Sequence, residues 1–136
     1  MNADAIRRVE IHFRSIKPLS EELVTEFYSD LFTSRPDLRT LFPSHMAEQH
    51  RKLGEALSLV VASLRNQEHL ASTLRELGQR HVSYGVTDDQ YDIVRDSLIS
   101  ALSRVSGQTW SEQLRSDWSS AIGEVITLMA HGEVRG

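Results

Sequence analysis

The chain has 136 residues, 40% of them hydrophobic and 25% charged, with a net charge of −4 at neutral pH. That size predicts one domain, residues 1–136, able to bury roughly two-thirds of its extended-chain surface. The acidic balance argues against a nucleic-acid partner, and the absence of cysteine excludes disulfides, thiolate metal sites and a cysteine nucleophile.

The stretch MNADAIRRVEIHF carries charges where a secretion signal needs an apolar run, and the most apolar stretch, LSLVVASL, is too short to span a bilayer. A cytoplasmic soluble domain with no membrane partner is the expectation. Ile6, Val9, Phe13 and Ile16 recur at intervals of three or four and predict a first helix that ends before Pro18. Ser20 is the expected N-cap of a second helix, with Glu21 and Glu22 at the positive end of its dipole. Its stripe is Val24, Phe27, Tyr28, Leu31 and Phe32, and Ser34-Arg35-Pro36 breaks it. The stretch PDLRTLF reads as a short turn closed by Pro43.

A third helix carries Met46, Gln49, Leu53, Leu57, Val60 and Leu64. Asn66 can cap the next, whose stripe of Leu70, Leu74, Leu77 and His81 stops near Gly85. Thr87-x-x-Gln90 and Thr109-x-x-Glu112 read as capping boxes. They open one helix with Tyr91, Val94, Leu98, Ala101 and Val105, and a last one with Trp110, Leu114, Trp118, Ile122, Val125 and Met129. No segment alternates with period two long enough to make a strand. The fold class is therefore all-α, with about six main helices plus a short connecting turn.

Three polar residues interrupt apolar stripes on three different helices: Tyr28, Gln49 and His81. Each alone is explained as a satisfied core or edge residue, but a buried polar group without a partner costs on the order of 1–3 kcal/mol. Together they suggest a pocket between helices. Zinc spacings such as HxxxH or HExxH are missing, as are the ExxH pairs of a di-iron bundle, phosphate loops and a GxSxG elbow. A cofactor that needs one protein ligand and an otherwise apolar slot is haem.

The order FYSDLFTSRPDLRTLF, then an M-x-x-Q-x-x-KL helix, then RHVSYGV followed by a tyrosine, resembles bacterial globins, above all the haem domain of flavohaemoglobins and single-domain haemoglobins. The resemblance covers nearly the whole chain. It implies a globin fold with haem b (iron protoporphyrin IX) between the distal and proximal helices. His81 matches the proximal iron ligand, Phe42 the phenylalanine against the porphyrin face, Gln49 the distal position and Leu53 a wall of the ligand pocket. Tyr28 matches the distal tyrosine that donates a hydrogen bond to dioxygen, with Gln49 supporting it. Tyr91 and Glu133 match a proximal pair around the histidine, where a carboxylate would make the ligand more electron-donating. Val86, Val94 and Leu98 are expected haem contacts, and Arg80 a partner for a propionate.

The resemblance also implies reversible binding of O2, CO and NO. Nitric oxide dioxygenation to nitrate, or a peroxidase-like activity, is compatible with it, and no reductase domain is expected after Gly136, so turnover calls for an external reductase. A monomer or weak homodimer is expected. His45 and His50 flank Gln49, and His50 is expected to face solvent, the alternative being a helix roll that makes one of them a sixth iron ligand. Glu48, Glu55 and Glu124 read as surface charges, and His12, His69 and His131 as surface or helix-end residues. Two other functions stay open: a gas or redox sensor acting through a partner, and a haem-free globin-like signalling domain.

Overall fold

Asn2 starts the first helix: its Oδ1 accepts from the Ala5 N–H at 2.8 Å, so α1 (Ala3–Ile16) opens with one otherwise orphaned donor satisfied. The computed structural model describes the backbone of residues 1–83 and 87–131 and, within those, all side chains but those of residues 67, 70, 80–83, 88, 130 and 131. Pro18 sits in a single 3-10 turn, Lys17–Leu19, which runs directly into α2 (Ser20–Ser34). Ser20 is therefore the first helical residue and not the predicted N-cap. Its N–H is already bonded to the Lys17 carbonyl, and the continuous turn leaves no extended residue for a cap to occupy.

Pro36–Leu41 forms a second 3-10 turn and leads to α3 (Ala47–Ser63). Asn66 accepts from the His69 N–H at 3.1 Å and caps α4 (Gln67–Ser83), as predicted. Thr87 and Gln90 form the predicted capping box of α5 (Asp88–Ser106), with Gln90 Oε1 accepting from the Thr87 N–H at 3.0 Å. The second predicted box is displaced. Gly107, at φ +59°, reverses the chain after α5, and a third 3-10 turn takes up Gly107–Thr109. The Thr109 hydroxyl donates to the Ser106 carbonyl, and Ser111 caps α6 (Glu112–His131) by accepting from the Leu114 N–H. Trp110 thus precedes the last helix.

Six α-helices and no strand are found among the described residues, and none of these helices is long and apolar enough to cross a membrane. The apolar stripes meet in one core: α2 packs mainly against α5, α4 against α6, and α1 and α5 also lie on α6. Trp118 is the largest side chain fully buried there, and Leu23, Leu31, Leu64, Leu74 and Leu102 are fully buried in the same cluster. Glu48 and Glu55 are exposed and flank Arg51, as surface charges should. Glu124 is instead half-covered and takes the terminal ammonium of Met1 at 3.0 Å.

His12 overturns its expected surface placement: it is 5% exposed. Trp118 Nε1–H donates to His12 Nδ1 at 2.8 Å. An indole N–H can only donate, so Nδ1 is bare and Nε2 carries the hydrogen, which goes to Ser106 Oγ at 2.7 Å. The pairing ties α1 to both α5 and α6. Beside it, buried Asp117 accepts from Arg8 Nε and Nη2 at 2.6 and 3.0 Å and from Gln113 Nε2 at 3.1 Å, and the Arg8 guanidinium holds its carboxyl below the usual range.

Burial pushes the His12 imidazole below its ordinary pKa of 6.5. The unfolded chain then takes up a proton that the folded chain refuses, so stability is full above about pH 6.5 and falls as the pH drops through and below it. Asp117 acts in a lower window, because its stabilisation is lost only as the pH falls through the carboxylate range. Thermal melts should show the midpoint falling between about pH 7 and pH 5, and His12→Asn, which keeps an acceptor near Nδ1, should flatten that slope. An equal slope in the variant would place the acid sensitivity elsewhere.

Candidate functional site

Four aromatic rings surround Tyr28: Phe27 and Phe32 from α2 itself, Phe42 just after the turn Pro36–Leu41, and His50 from the start of α3. Tyr28 lies on the buried face of α2 and is 5% exposed. Phe27 and Phe42 meet its ring edge-on, at centroid distances of 4.8 and 5.6 Å. Gln49, in the first turn of α3, donates from Nε2 to Tyr28 Oη at 3.2 Å. Two of the three polar residues that broke the stripes are therefore in contact, although they are 21 residues apart. Burial pushes the Tyr28 phenol above its ordinary pKa of 10, with the Gln49 hydrogen bond opposing the shift. The hydroxyl is therefore protonated at neutral pH and has one hydrogen to donate.

The remaining expected residues divide into two groups. Phe42 is half-buried and packs against Phe32 as well as Tyr28. Leu53 on α3 and Val94 on α5 are half-buried, while Tyr91 and Leu98 on α5 are buried in the core. The backbone of Arg80 and His81 belongs to the last turn of α4. Their side chains, and Val86 and Glu133 entirely, lie outside the described residues.

Three contacts were not legible in the sequence: those of Arg39, His50 and Gly78. Arg39 fastens the segment that carries Phe42, donating to the carbonyls of Phe42, Pro43 and Ser44 at 3.3, 2.8 and 3.1 Å, with its guanidinium 5.3 Å from the Phe32 ring centroid. A lone arginine in a turn just before a proline, where several carbonyls lack helical partners, is the available signal. His50 is half-buried and lies against Tyr28, which corrects its expected solvent-facing placement; His45 is exposed. Gly78 is buried where α4 crosses α6, and a Cβ there would stand 2.1 Å from the Met129 carbonyl oxygen.

One further property of α3 bears on a cofactor. Met46, Gln49, Leu53, Leu57 and Val60 share one helical face, yet all are only half-covered, and in the helix itself only Val61 and Ser63 are buried. An apolar face with one polar interruption, left half-covered beside a buried hydroxyl donor, fits a flat apolar group with a polar ligand at its centre. Among the described residues no cluster of three or more His, Asp or Glu could hold a metal ion.

Comparison with known proteins agrees with this geometry. The flavohemoprotein of Rhizobium meliloti is 28% identical over 111 residues, which cover 79% of this chain and 28% of that one. The flavohemoprotein of Bacillus thuringiensis is 26% identical over 125 residues, 88% of this chain and 31% of that one. The chain thus spans less than a third of the length of these curated relatives. Among solved structures, an engineered carbene transferase from Rhodothermus marinus superposes with a TM-score of 0.88 at 24% identity, covering 99% of this chain and 94% of that one. A bacterial globin from Campylobacter jejuni gives 0.79 at 22% identity, with 95% and 96% covered. The globin family model matches residues 25–129, a span that holds both Tyr28 and Gln49, and the chain belongs to the globin family.

Proposed function

We propose that this chain is a haem b globin that reversibly binds O2, and also CO and NO, and that it supports nitric oxide dioxygenation when a reductase supplies electrons. The observation that carries the proposal is the contact between Gln49 Nε2 and Tyr28 Oη. Because the amide already donates to the phenol oxygen, the phenol's own hydrogen is directed elsewhere, and among the described residues no protein acceptor takes it. A preplaced donor of this kind stabilises a gas ligand that carries partial negative charge.

When bound, haem would supply an iron able to take the diatomic gas. His81 is the residue that would ligate it, and Phe42 and Leu53 would pack against it. Val86, Val94 and Leu98 would add apolar contacts, and Arg80 would pair with a propionate. Tyr91 and Glu133 would hold the free nitrogen of His81 by hydrogen bonding, which fixes the ring and raises its basicity. Tyr28 would donate to the ligand, Gln49 would hold the donor oxygen in place, and the surrounding phenylalanines would exclude water. Relatives that bear the name flavohemoprotein, and the spacing of seven residues, about two helical turns, between Leu74 and His81, support this reading.

The direct test is a titration of the haem-free chain with haem. A Soret band should grow and saturate at one haem per chain, and reduction under CO should give a CO-ligated spectrum. His81→Ala should bind haem more weakly, with free imidazole restoring the wild-type spectrum. A chain that develops no Soret band would sink the proposal, and an unaltered ferrous CO spectrum in His81→Ala would remove that residue as the ligand.

A further inference from the structure

His50 lies flat on Tyr28, with ring centroids 5.1 Å apart and planes 9° from parallel. Adjacent residues on a helix point about 100° apart. That divergence lets one turn of α3 hold one phenol in two ways, with Gln49 at the hydroxyl and His50 on the ring face. The two contacts do different work. A tyrosine oxygen lies on the axis of rotation between Cβ and the ring, so the Gln49 hydrogen bond fixes where the oxygen is and leaves the ring plane free. That torsion is intrinsically broad. The phenol O–H hydrogen, however, lies in the ring plane through conjugation, so the ring plane decides where the hydrogen points.

We propose that His50 is a positioning residue for Tyr28: its stacked imidazole fixes the plane of the phenol and thereby aims the hydroxyl hydrogen at the gas ligand. The inference rests on the haem reading, in which Tyr28 is the ligand-directed donor. Phe27 and Phe42, edge-on at 64° and 76°, and Phe32, stacked 5.8 Å away with planes 25° apart, complete the cage, and His50 is the ring most nearly parallel to the phenol. A roll of α3 disturbs both contacts at once, so donor position and donor direction change together.

The test uses the haem-loaded protein and three variants: His50→Ala, His50→Phe, which keeps a flat ring but cannot ionise or ligate iron, and Tyr28→Phe as reference. The C–O stretching band of the ferrous CO complex reports the hydrogen bond by its position and the spread of donor orientations by its width. His50→Ala should broaden the band and move it part of the way towards its Tyr28→Phe position. The same variant should raise the O2 dissociation rate about threefold to tenfold, a fraction of the effect of deleting the hydroxyl. His50→Phe should keep the wild-type band and rate.

If Tyr28→Phe moves band and rate while His50→Ala moves neither, the inference fails and the haem reading stands. If Tyr28→Phe itself moves neither, the role of Tyr28 falls, and this inference with it. Equal displacement in His50→Ala and His50→Phe would overturn positioning by stacking, because it would assign the effect to the imidazole nitrogens.

Discussion

Tyr28→Phe is expected to raise the O2 dissociation rate of the haem-loaded protein about 10- to 150-fold, since a hydrogen bond to a charged group is worth about 1.5–3 kcal/mol. The substitution removes one oxygen and leaves the ring that Phe27, Phe32, Phe42 and His50 surround, so the cage keeps its shape. The association rate should change far less, because the hydrogen bond forms after the ligand has entered. Burial raises the Tyr28 pKa, so the donor stays protonated and the wild-type rate should show no titration of this group from neutral pH up to about pH 10. Gln49→Ala should act in the same direction more weakly, because it frees the hydroxyl without deleting it. Stopped-flow displacement of O2 by CO measures all three proteins. An unchanged rate in Tyr28→Phe would remove the residue from its proposed role.

How much was legible in the sequence depends on the reach of the interactions concerned. The stripes of α1 and α2, the Asn66 cap and the Thr87–Gln90 box depend on neighbours three or four residues away, and all take the form that spacing predicts. Ser20 and Thr109 are also local, yet both were misplaced. In each case a 3-10 turn absorbed the residues between two helices and shifted the true start of the second. His12 and His50 were illegible for a different reason. The partner of His12 is Trp118, 106 positions along the chain, and that of His50 is a ring on another helix, so neither pairing leaves a local trace. The departures of Tyr28 and Gln49 from their stripes were visible because each put a polar group on an apolar face. Their contact with each other needed the crossing of α2 and α3.

Gly78→Ala carries the largest expected cost to the fold. In an exposed helix interior the same change stabilises by up to about 1 kcal/mol, because alanine loses less chain entropy on folding. At residue 78 the added Cβ would stand 2.1 Å from the Met129 carbonyl oxygen and 2.8 Å from its carbon. Both are backbone atoms of α6, so no side chain can swing aside and α4 itself must move. Forced overpacking costs about 1–3 kcal/mol and occasionally more, and a clash between two backbones belongs at the upper end. Gly54 in α3 and Gly123 in α6 supply the control, since a Cβ at either meets nothing within 4 Å. Urea denaturation should therefore show Gly54→Ala and Gly123→Ala unchanged or stabilised and Gly78→Ala destabilised. His81 lies three residues beyond Gly78 on α4, so the displaced helix should also hold haem less tightly, whereas the control variants should retain it. If Gly78→Ala stabilised the protein as the controls do, the close approach of α4 to α6 would be wrong, and with it the placement of the helix that bears the proposed iron ligand.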